Sequence, residues 1–265
     1  MPEIEPSLKD VLTGPNRAKW VAALDEEIRN TLRYKVFRAI NRTRGIRPLG
    51  TRMVLRNKFN KEGKVEKRKA RLVIRGFEQI EGIDFNQTFA SVAQANTWRV
   101  LLLIAAILNW EVHQVDIVAA FLNGYLEEKI TIEIPFGLEE FFAWYPKENT
   151  IGFDPKKDQV LEVLWSLYRL KQAPRQWQKV LKKALAKLGF IQLKSDNAIF
   201  IYYKLKIIIV IYVDDFLVMS PSLKAVKDFK KNLGTFFEVK DLGEVSYYLG
   251  VRITRDRAQR KIWLV

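Results

Sequence analysis

Two apolar runs, Ile207 to Ile211 and Phe216 to Met219, flank the tetrapeptide Tyr212-Val213-Asp214-Asp215. Short apolar runs around a tight break predict a buried β-hairpin, and no other feature of the chain restricts its fold as much. A two-residue hairpin turn normally takes Asn-Gly, Asp-Gly or Gly-X, because the backbone there needs φ > 0. Here the break carries two adjacent aspartates beside a tyrosine. Neighbouring carboxylates repel, and keeping both ionised near low-dielectric walls is costly unless cations neutralise them. An isolated Asp-Asp pair is ordinarily a solvated turn. With buried flanks, the same pair reads as a site for divalent metal.

The rest of the composition narrows what such a site can be. The chain has 265 residues, 48% hydrophobic and 12% aromatic, with net charge +15 and pI about 9.8. That is enough apolar material for a sizeable core and enough positive charge to argue for a polyanionic partner. Nucleic acid and an anionic membrane both qualify, but no lipidation motif or polybasic amphipathic helix favours the membrane. Cysteine is absent and His113 is the single histidine. Disulfides, zinc ribbons, thiol nucleophiles and multi-histidine metal sites are thereby excluded. A metal here would be held by oxygen ligands, which points to magnesium or manganese. The polar N-terminus shows no signal peptide, and the apolar stretches are too short to span a bilayer, so a soluble, intracellular protein is expected.

Along the chain, Asn16 to Thr31 reads as a helix with Trp20, Ala23, Leu24, Ile28 and Leu32 on one face and Asn16 as N-cap. Arg42 to Arg75 is dense in Lys and Arg, with only Glu62 and Glu66 acidic. Within it, Met53 to Phe59 and Val65 to Ile74 predict a basic hairpin turning at Lys61 to Lys64, suited to phosphate contact. Trp98 to Leu108 predicts an apolar helix capped by Asn96 or Thr97. Glu111 to Ile117 follows as a strand, then a short helical stretch to Gly124, then a strand at Lys129 to Ile134. Phe136 to Asp158 reads as an irregular aromatic-rich insertion. Arg175 to Leu188 is an amphipathic helix, and Pro221 to Leu233 another. Ala198 to Tyr203, Lys206 to Val213 and Ser246 to Thr254 predict strands, the last ending near a turn at Arg255 to Arg260. The mixture predicts an α+β fold with a small antiparallel sheet packed on helices.

The chemistry converges on Asp116, which ends the strand Glu111 to Ile117. If that strand neighbours the hairpin, Asp116, Asp214 and Asp215 come together and could hold two divalent cations for in-line phosphoryl transfer. No Ser-His or Cys-His nucleophile is needed for such a reaction, and none is available. His113, three residues before Asp116, falls on the opposite strand face and reads as structural. The tryptophans Trp20, Trp98, Trp110, Trp165 and Trp177 read as core.

A series of motifs then carries a resemblance. In chain order they are Lys69-Ala70-Arg71-Leu72-Val73, Arg75-Gly76-Phe77-Glu78-Gln79, and Gly82-Ile83-Asp84-Phe85 with Thr88-Phe89-Ala90. His113-Gln114-Val115-Asp116 and Ala120-Phe121-Leu122-Asn123-Gly124 follow. Ser166-Leu167-Tyr168 with Leu170-Lys171-Gln172-Ala173-Pro174-Arg175, the Tyr212-Val213-Asp214-Asp215 segment, and Lys240-Asp241-Leu242-Gly243 with Tyr248-Leu249-Gly250 complete the series. Together they resemble the reverse transcriptase of copia-type (pseudoviral) LTR retrotransposons, over most of the chain.

The resemblance implies a right-hand polymerase. Fingers would span residues 1–95 and 125–170, palm 96–124 and 171–243, and primer grip with the start of a thumb 244–265. The thumb is expected to be largely missing, as in a truncated piece of a Pol polyprotein that elsewhere carries RNase H and integrase. Asp116, Asp214 and Asp215 would be the catalytic, metal-binding carboxylates for two Mg2+ or Mn2+ ions, with the Ile117 carbonyl as a further ligand. Lys69 and Arg71 would meet the triphosphate of the incoming nucleotide, with Tyr212 beside it. Phe121 would gate against a 2′-hydroxyl, and Gln172 would pack near the sugar and templating base. Tyr248, Leu249 and Gly250 would grip the primer end. The implied partners are an RNA template, a DNA/RNA primer duplex and dNTPs, with no membrane. The implied location is the cytoplasm, in virus-like particles for an active element, or the nucleus. The chain departs from the family pattern at Arg169, where Gly is usual, at Ser91, where Pro is usual, and at Leu55 and Asn57, in a stretch usually aromatic and basic. Those departures leave two other readings: a decayed remnant that only binds nucleic acid, and, on the palm logic alone, an RNA-directed RNA polymerase.

Overall fold

The computed structural model describes residues 6–59 and 64–265. In chain order, its first half forms α1 (Leu8–Thr13), α2 (Arg17–Arg33), β1 (Phe37–Asn41), β2 (Thr51–Phe59), β3 (Val65–Ile74), α3 (Ala95–Ile107), β4 (Glu111–Ile117), β5 (Tyr125–Ile132), α4 (Leu138–Trp144) and β6 (Gln159–Trp165). The second half forms α5 (Ala173–Lys187), β7 (Ile191–Gln192), β8 (Ile199–Tyr202), β9 (Ile207–Tyr212), β10 (Asp215–Ser220), α6 (Leu223–Leu233), β11 (Val239–Glu244), β12 (Tyr247–Tyr248), β13 (Val251–Asp256) and β14 (Lys261–Leu264). Among the described residues every sheet is antiparallel, so the fold is mixed α and β with antiparallel sheets, in line with the α+β expectation. No helix among them is long and apolar enough to cross a membrane. The chain divides into two compact units, residues 1–88 with 121–177, and residues 89–120 with 178–265.

In the first unit, β1, β6 and β5 make one sheet and the basic hairpin β2–β3 another. The α2 helix packs on β3 with Trp20, Leu24 and Ile28 buried, the stripe that its helical spacing announces. Asn16 occupies the N-cap of α2, but its side chain makes no capping bond there. The predicted turn of the basic hairpin at Lys61 to Lys64 lies almost wholly outside the described residues. The expected irregular insertion at 136–158 contains α4, which buries Leu138, Phe141 and Phe142 after Gly137 at φ +84. That helix is shorter than two full turns, too short for periodicity to reveal.

One residue of this unit is conspicuously placed. Arg169, where the resemblance implies Gly, has φ +68, in the left-handed region. Its carbonyl oxygen sits only 2.1 Å from where a Cβ on residue 76 would lie, which is why residue 76 must be Gly. Left-handed backbone costs a non-glycine residue about 1–2 kcal/mol, while Gly adds about 0.4–1 kcal/mol of unfolded-chain entropy. Arg169→Gly is therefore expected to raise stability by about 0.5–1 kcal/mol in urea unfolding. A loss of stability would show that the arginine side chain has compensating contacts.

The second unit is built on a six-stranded sheet in the order β11-β4-β10-β9-β8-β7. Strands β9 and β10 are apolar at nearly every position because both faces of the sheet are covered. Leu217, Met219, Val112 and Val210 join a core with Trp98 and Leu102 of α3 and with Tyr248 and Ile253. Each such fully buried aliphatic side chain contributes about 1.5–3 kcal/mol. The alternate residues Val115, Phe216 and Val218 point to the other face, where α6 packs on β4 and β10. His113 lies on that face and meets α6: Lys230 Nζ is 3.0 Å from its Nδ1 and also pairs with Asp241. Burial and the Lys230 cation hold His113 below the ordinary histidine range, as suits a structural residue.

Two boundaries in this unit differ from expectation. The α3 helix begins at Ala95 behind Gln94, so Asn96 and Thr97 lie inside its first turn rather than capping it. The expected strand Ser246 to Thr254 is instead a hairpin. Tyr248 pairs with Val251 across Leu249 and Gly250, at φ +48 and +85, the positive pair that a two-residue I′ turn requires. Period-two alternation runs straight through so tight a turn, which hides it from a pattern reading.

Candidate active site

The hairpin β9–β10 closes through Val213 and Asp214, with Tyr212 already paired to Asp215. The turn residues are thus Val-Asp rather than the expected Asp-Asp. Val213 has φ +59, a left-handed conformation that is strained for a β-branched side chain. The turn is also tied to the neighbouring strand: the Ile117 N–H donates to the Asp214 carbonyl at 2.9 Å. Strand β10 pairs with β4 so that Asp215 stands opposite Asp116. By alternation both side chains share the sheet face of Gln114, Leu217 and Met219. Gln114 Nε2 donates to Asp215 Oδ1 at 3.2 Å. The Asp215 carboxyl is pushed above the usual carboxylate range, chiefly by burial and also by the Asp116 charge beside it.

Sequence reasoning therefore meets its partners in space for Asp116 and Asp215, nearly a hundred residues apart. Convergence of three carboxylates goes further than the structure does. Among the described residues no three His, Cys, Asp or Glu side chains are grouped closely enough to hold a metal ion. The donor chemistry nevertheless fits a hard divalent cation: two carboxylates stand opposite each other across one register pair, and burial, with the Asp116 charge adding to it, raises the proton affinity of Asp215.

Below this pair lies Tyr248. Its ring is fully buried, edge-on to Trp98 with centroids 5.6 Å apart, and its hydroxyl donates to the Asp215 carbonyl at 3.4 Å. Of the three residues expected at a primer grip, Tyr248 is a core residue under the site, and Leu249 and Gly250 form the hairpin tip. Tyr212 is exposed at the edge of the turn.

The other expected nucleotide-binding residues belong to the first unit. The guanidinium of Arg71 lies over the ring of Tyr168, 5.5 Å from its centroid, and Phe121 meets the same ring edge-on at 5.9 Å. Tyr168 is fixed to β3 by accepting the Ile74 N–H at 3.1 Å. Arg71 Nε is buried without a hydrogen-bond partner among the described residues. Burial and the neighbouring Arg71 charge depress the Lys69 ammonium. Gln172 is wholly buried, immediately before α5. Its side chain accepts from Gln79 at 3.0 Å and donates to the Asp84 carbonyl at 2.8 Å and to Glu128 at 3.2 Å, which fixes it within the unit.

Two further residues escaped the sequence reading. Glu27 is 6% exposed on α2 and accepts the Leu72 N–H of β3 at 2.9 Å. Burial pushes its carboxyl up to about 7, against the pull of Leu72, Lys69 and Arg71. Its position within the Leu24–Ile28 stripe was the available signal. Gln114 could have been found from its place two residues before Asp116, on the same strand face.

A family profile described as Reverse transcriptase (RNA-dependent DNA polymerase) matches residues 34–265. The chain is 36% identical over 263 residues to the Retrovirus-related Pol polyprotein from transposon TNT 1-94 of Nicotiana tabacum, covering 97% of this chain and 19% of that protein. It is 31% identical over 209 residues to the corresponding polyprotein from transposon RE1 of Arabidopsis thaliana, covering 78% of this chain and 13% of that protein. The chain thus spans about a fifth or less of the length of these relatives. With the paired aspartates, the hairpin and the matched profile in hand, the chain belongs to the reverse transcriptase family, as the copia-type retrotransposon kind of domain.

Proposed function

We propose that this chain is the catalytic core of an RNA-directed DNA polymerase, adding dNTPs to a primer 3′-OH on an RNA template by two-metal phosphoryl transfer. The observation that carries this reading is the Asp215–Asp116 register pair beside a turn tied to β4. Asp116 and Asp215, with Asp214 from the turn, would hold Mg2+ or Mn2+, and the Ile117 carbonyl would add a ligand. When bound, such ions activate the attacking hydroxyl and neutralise charge on the leaving oxygen. The protein's own part is positional. Gln114 fixes the Asp215 carboxylate, and the Tyr248 hydroxyl supports the strand beneath it. In this reading the unit of residues 1–88 and 121–177 acts as fingers and the other as palm. Leu249 and Gly250 would offer backbone to the primer end, with Tyr212 beside the nucleotide. Lys69 and Arg71, neighbours on one face of β3, supply cations to the triphosphate.

Phe121, braced edge-on by Tyr168, would stand against the 2′-position of the sugar. Phe121→Val is expected to raise ribonucleotide incorporation on the order of tenfold relative to deoxynucleotide. Single-nucleotide insertion with paired rNTP and dNTP substrates reads this directly, and an unchanged ratio removes the gate assignment.

The founding experiment is primer extension on RNA and DNA templates with dNTPs and magnesium or manganese. Extension on RNA supports the proposal, and extension with rNTPs alone would favour an RNA polymerase instead. A second reading, a remnant that binds nucleic acid without extending primers, is favoured by the left-handed backbone of Arg169, where the resemblance implies Gly. Retained template binding with no extension in either metal would establish it.

A further inference from the structure

The α3 helix of the second unit is apolar on every side. Trp98, Leu102, Ala105 and Ala106 are buried in the core of that unit. On the opposite side Val100, Leu103, Ile104, Ile107 and Leu108 are each 38–54% exposed. Their spacing of i, i+3, i+4, i+7 and i+8 sets them in one stripe along the helix. A helix that is apolar all round is ordinarily covered all round. The stripe also stands on a firm base. Arg255 donates to the Ala105 carbonyl at 3.0 Å and to the Trp110 carbonyl at 2.5 Å, and Arg260 donates to the Ile107 carbonyl at 3.2 Å. The hairpin β13–β14 thus pins the C-terminal end of α3.

Charge decides what can cover it. The chain carries +15, and α5 and α6 present Lys182, Lys183, Lys187, Lys224, Lys227 and Lys231 to solvent. Between Ala95 and Leu108 the one charged residue is Arg99, whose guanidinium lies over the Trp98 ring, 5.3 Å from its centroid. Arg257, beyond the C-terminal end, is paired with Glu111 at 2.8 Å. The cations around the stripe therefore already meet oxygens or an aromatic ring of their own chain. An acidic partner or an anionic membrane would gain little there. Two copies of this basic chain, in contrast, meet with the least repulsion on a face that is nearly uncharged. Five aliphatic side chains about half exposed present roughly 450 Å², so two copies with their rims would bury about 1,000 Å², the lower bound for a specific interface.

We propose that α3 is the contact of a symmetric homodimer, packed antiparallel on α3 of a second copy about a two-fold axis near Ile104. An isologous interface presents one patch to itself. A purely aliphatic stripe suits that arrangement, because it leaves no charge or donor unpaired when it meets its own copy. Val100 of each copy then lies near Leu108 of the other. The small area makes the dimer weak, with a dissociation constant on the order of 10 µM. This contact is independent of the polymerase reading.

The test is sedimentation velocity of the full chain, free of nucleic acid, from about 1 to 100 µM in about 0.1 and 0.5 M NaCl. A monomer–dimer equilibrium is expected, and the higher salt should tighten it several-fold by screening the net charge. Nucleic-acid binding would respond to salt in the opposite direction. Leu103→Glu and Leu103→Lys should each weaken the dimer by about tenfold or more. Both replacements are good helix formers at an exposed position, so circular dichroism and melting should hardly change. Because the chain has no cysteine, an introduced one is its sole thiol and reports the axis. On oxidation with diamide, Ile104→Cys should cross-link to itself. Val100→Cys and Leu108→Cys should each fail alone, because like residues then sit about 12 Å apart along the axis, beyond the ~7 Å Cα limit of a disulfide. A mixture of those two variants should cross-link. A chain that stays monomeric at the highest concentration in both salts, a dimer that survives both Leu103 substitutions, or self-cross-linking at Leu108→Cys with none at Ile104→Cys would overturn the proposal. Capture of a monomer by neutral phosphatidylcholine vesicles, lost in Leu103→Glu, would overturn it too and give the stripe to a lipid surface.

Discussion

Asp215→Asn, and equally Asp116→Asn, is expected to lower primer extension by about a thousandfold or more while leaving the chain folded and able to bind template. The two side chains share one face of the sheet across a single register pair, and both lie next to the turn that carries Asp214. A site for phosphoryl transfer works by holding negative charge where cations must sit, and removing one charge forfeits roughly 4 kcal/mol of transition-state stabilisation. Folding should respond in the opposite direction. Burial and the Asp116 charge make an ionised Asp215 unfavourable in the native state. An asparagine keeps an oxygen to accept from Gln114 and removes the repulsion. The melting temperature of Asp215→Asn should therefore be unchanged or slightly raised. Steady-state extension, template anisotropy and thermal melting on one preparation check all three parts. A variant that loses binding and melts early would make these carboxylates structural and remove the catalytic assignment.

Glu27→Gln is the second large expected effect, and its signature is a pH profile. The folded protein holds the Glu27 proton up to about pH 7, whereas the unfolded chain releases it near the ordinary value of 4.5. Folding is thus favoured by this group in full below about pH 4.5. The benefit declines as pH rises and is gone above about pH 7, a loss of about 3 kcal/mol. Glutamine keeps an oxygen for the Leu72 N–H and has nothing to titrate. The difference in stability between Glu27→Gln and the parent should grow from near zero at acid pH to about 3 kcal/mol in favour of the variant at pH 8. Urea unfolding at several pH values reads this difference. Parallel profiles for the two proteins would mean that Glu27 titrates normally and that the α2–β3 packing admits water. Lys69 and Arg71 lie close to this carboxylate, so its ionisation above pH 7 also supplies a counter-charge under the proposed triphosphate-binding strand.

These two cases show what was legible in the sequence. Strands β9 and β10 announced themselves because both faces are buried and nearly every residue is apolar. Asp116 and Asp215 could be joined because the strand ending in Asp116 and the hairpin each had recognisable limits. What escaped was decided by tertiary context or by spans too short to show a period. Gln172 drew attention only through the resemblance, and its burial is decided by Gln79 and Asp84, which are distant in sequence. The turn at Leu249 and Gly250 sits within an alternating pattern that continues on both sides of it. The α1, β1, α4, β6 and β11 elements each lack the length or the flanking punctuation that would have marked them. The identity of the turn residues at Val213 and Asp214 depended on register, which no composition rule supplies.

Register has one more consequence. Strand side chains alternate, so sliding β10 by one residue along β4 would swing Asp215 to the face of α6 and carry Leu217 and Met219 away from Trp98 and Leu102. The position of the carboxylate and the burial of the core are set by the same choice of pairing. A single-residue insertion or deletion inside either strand would therefore erase chemistry and folding together. Among degenerate copies of such an element, frame-preserving changes of length should survive in connecting loops and be missing from these two strands.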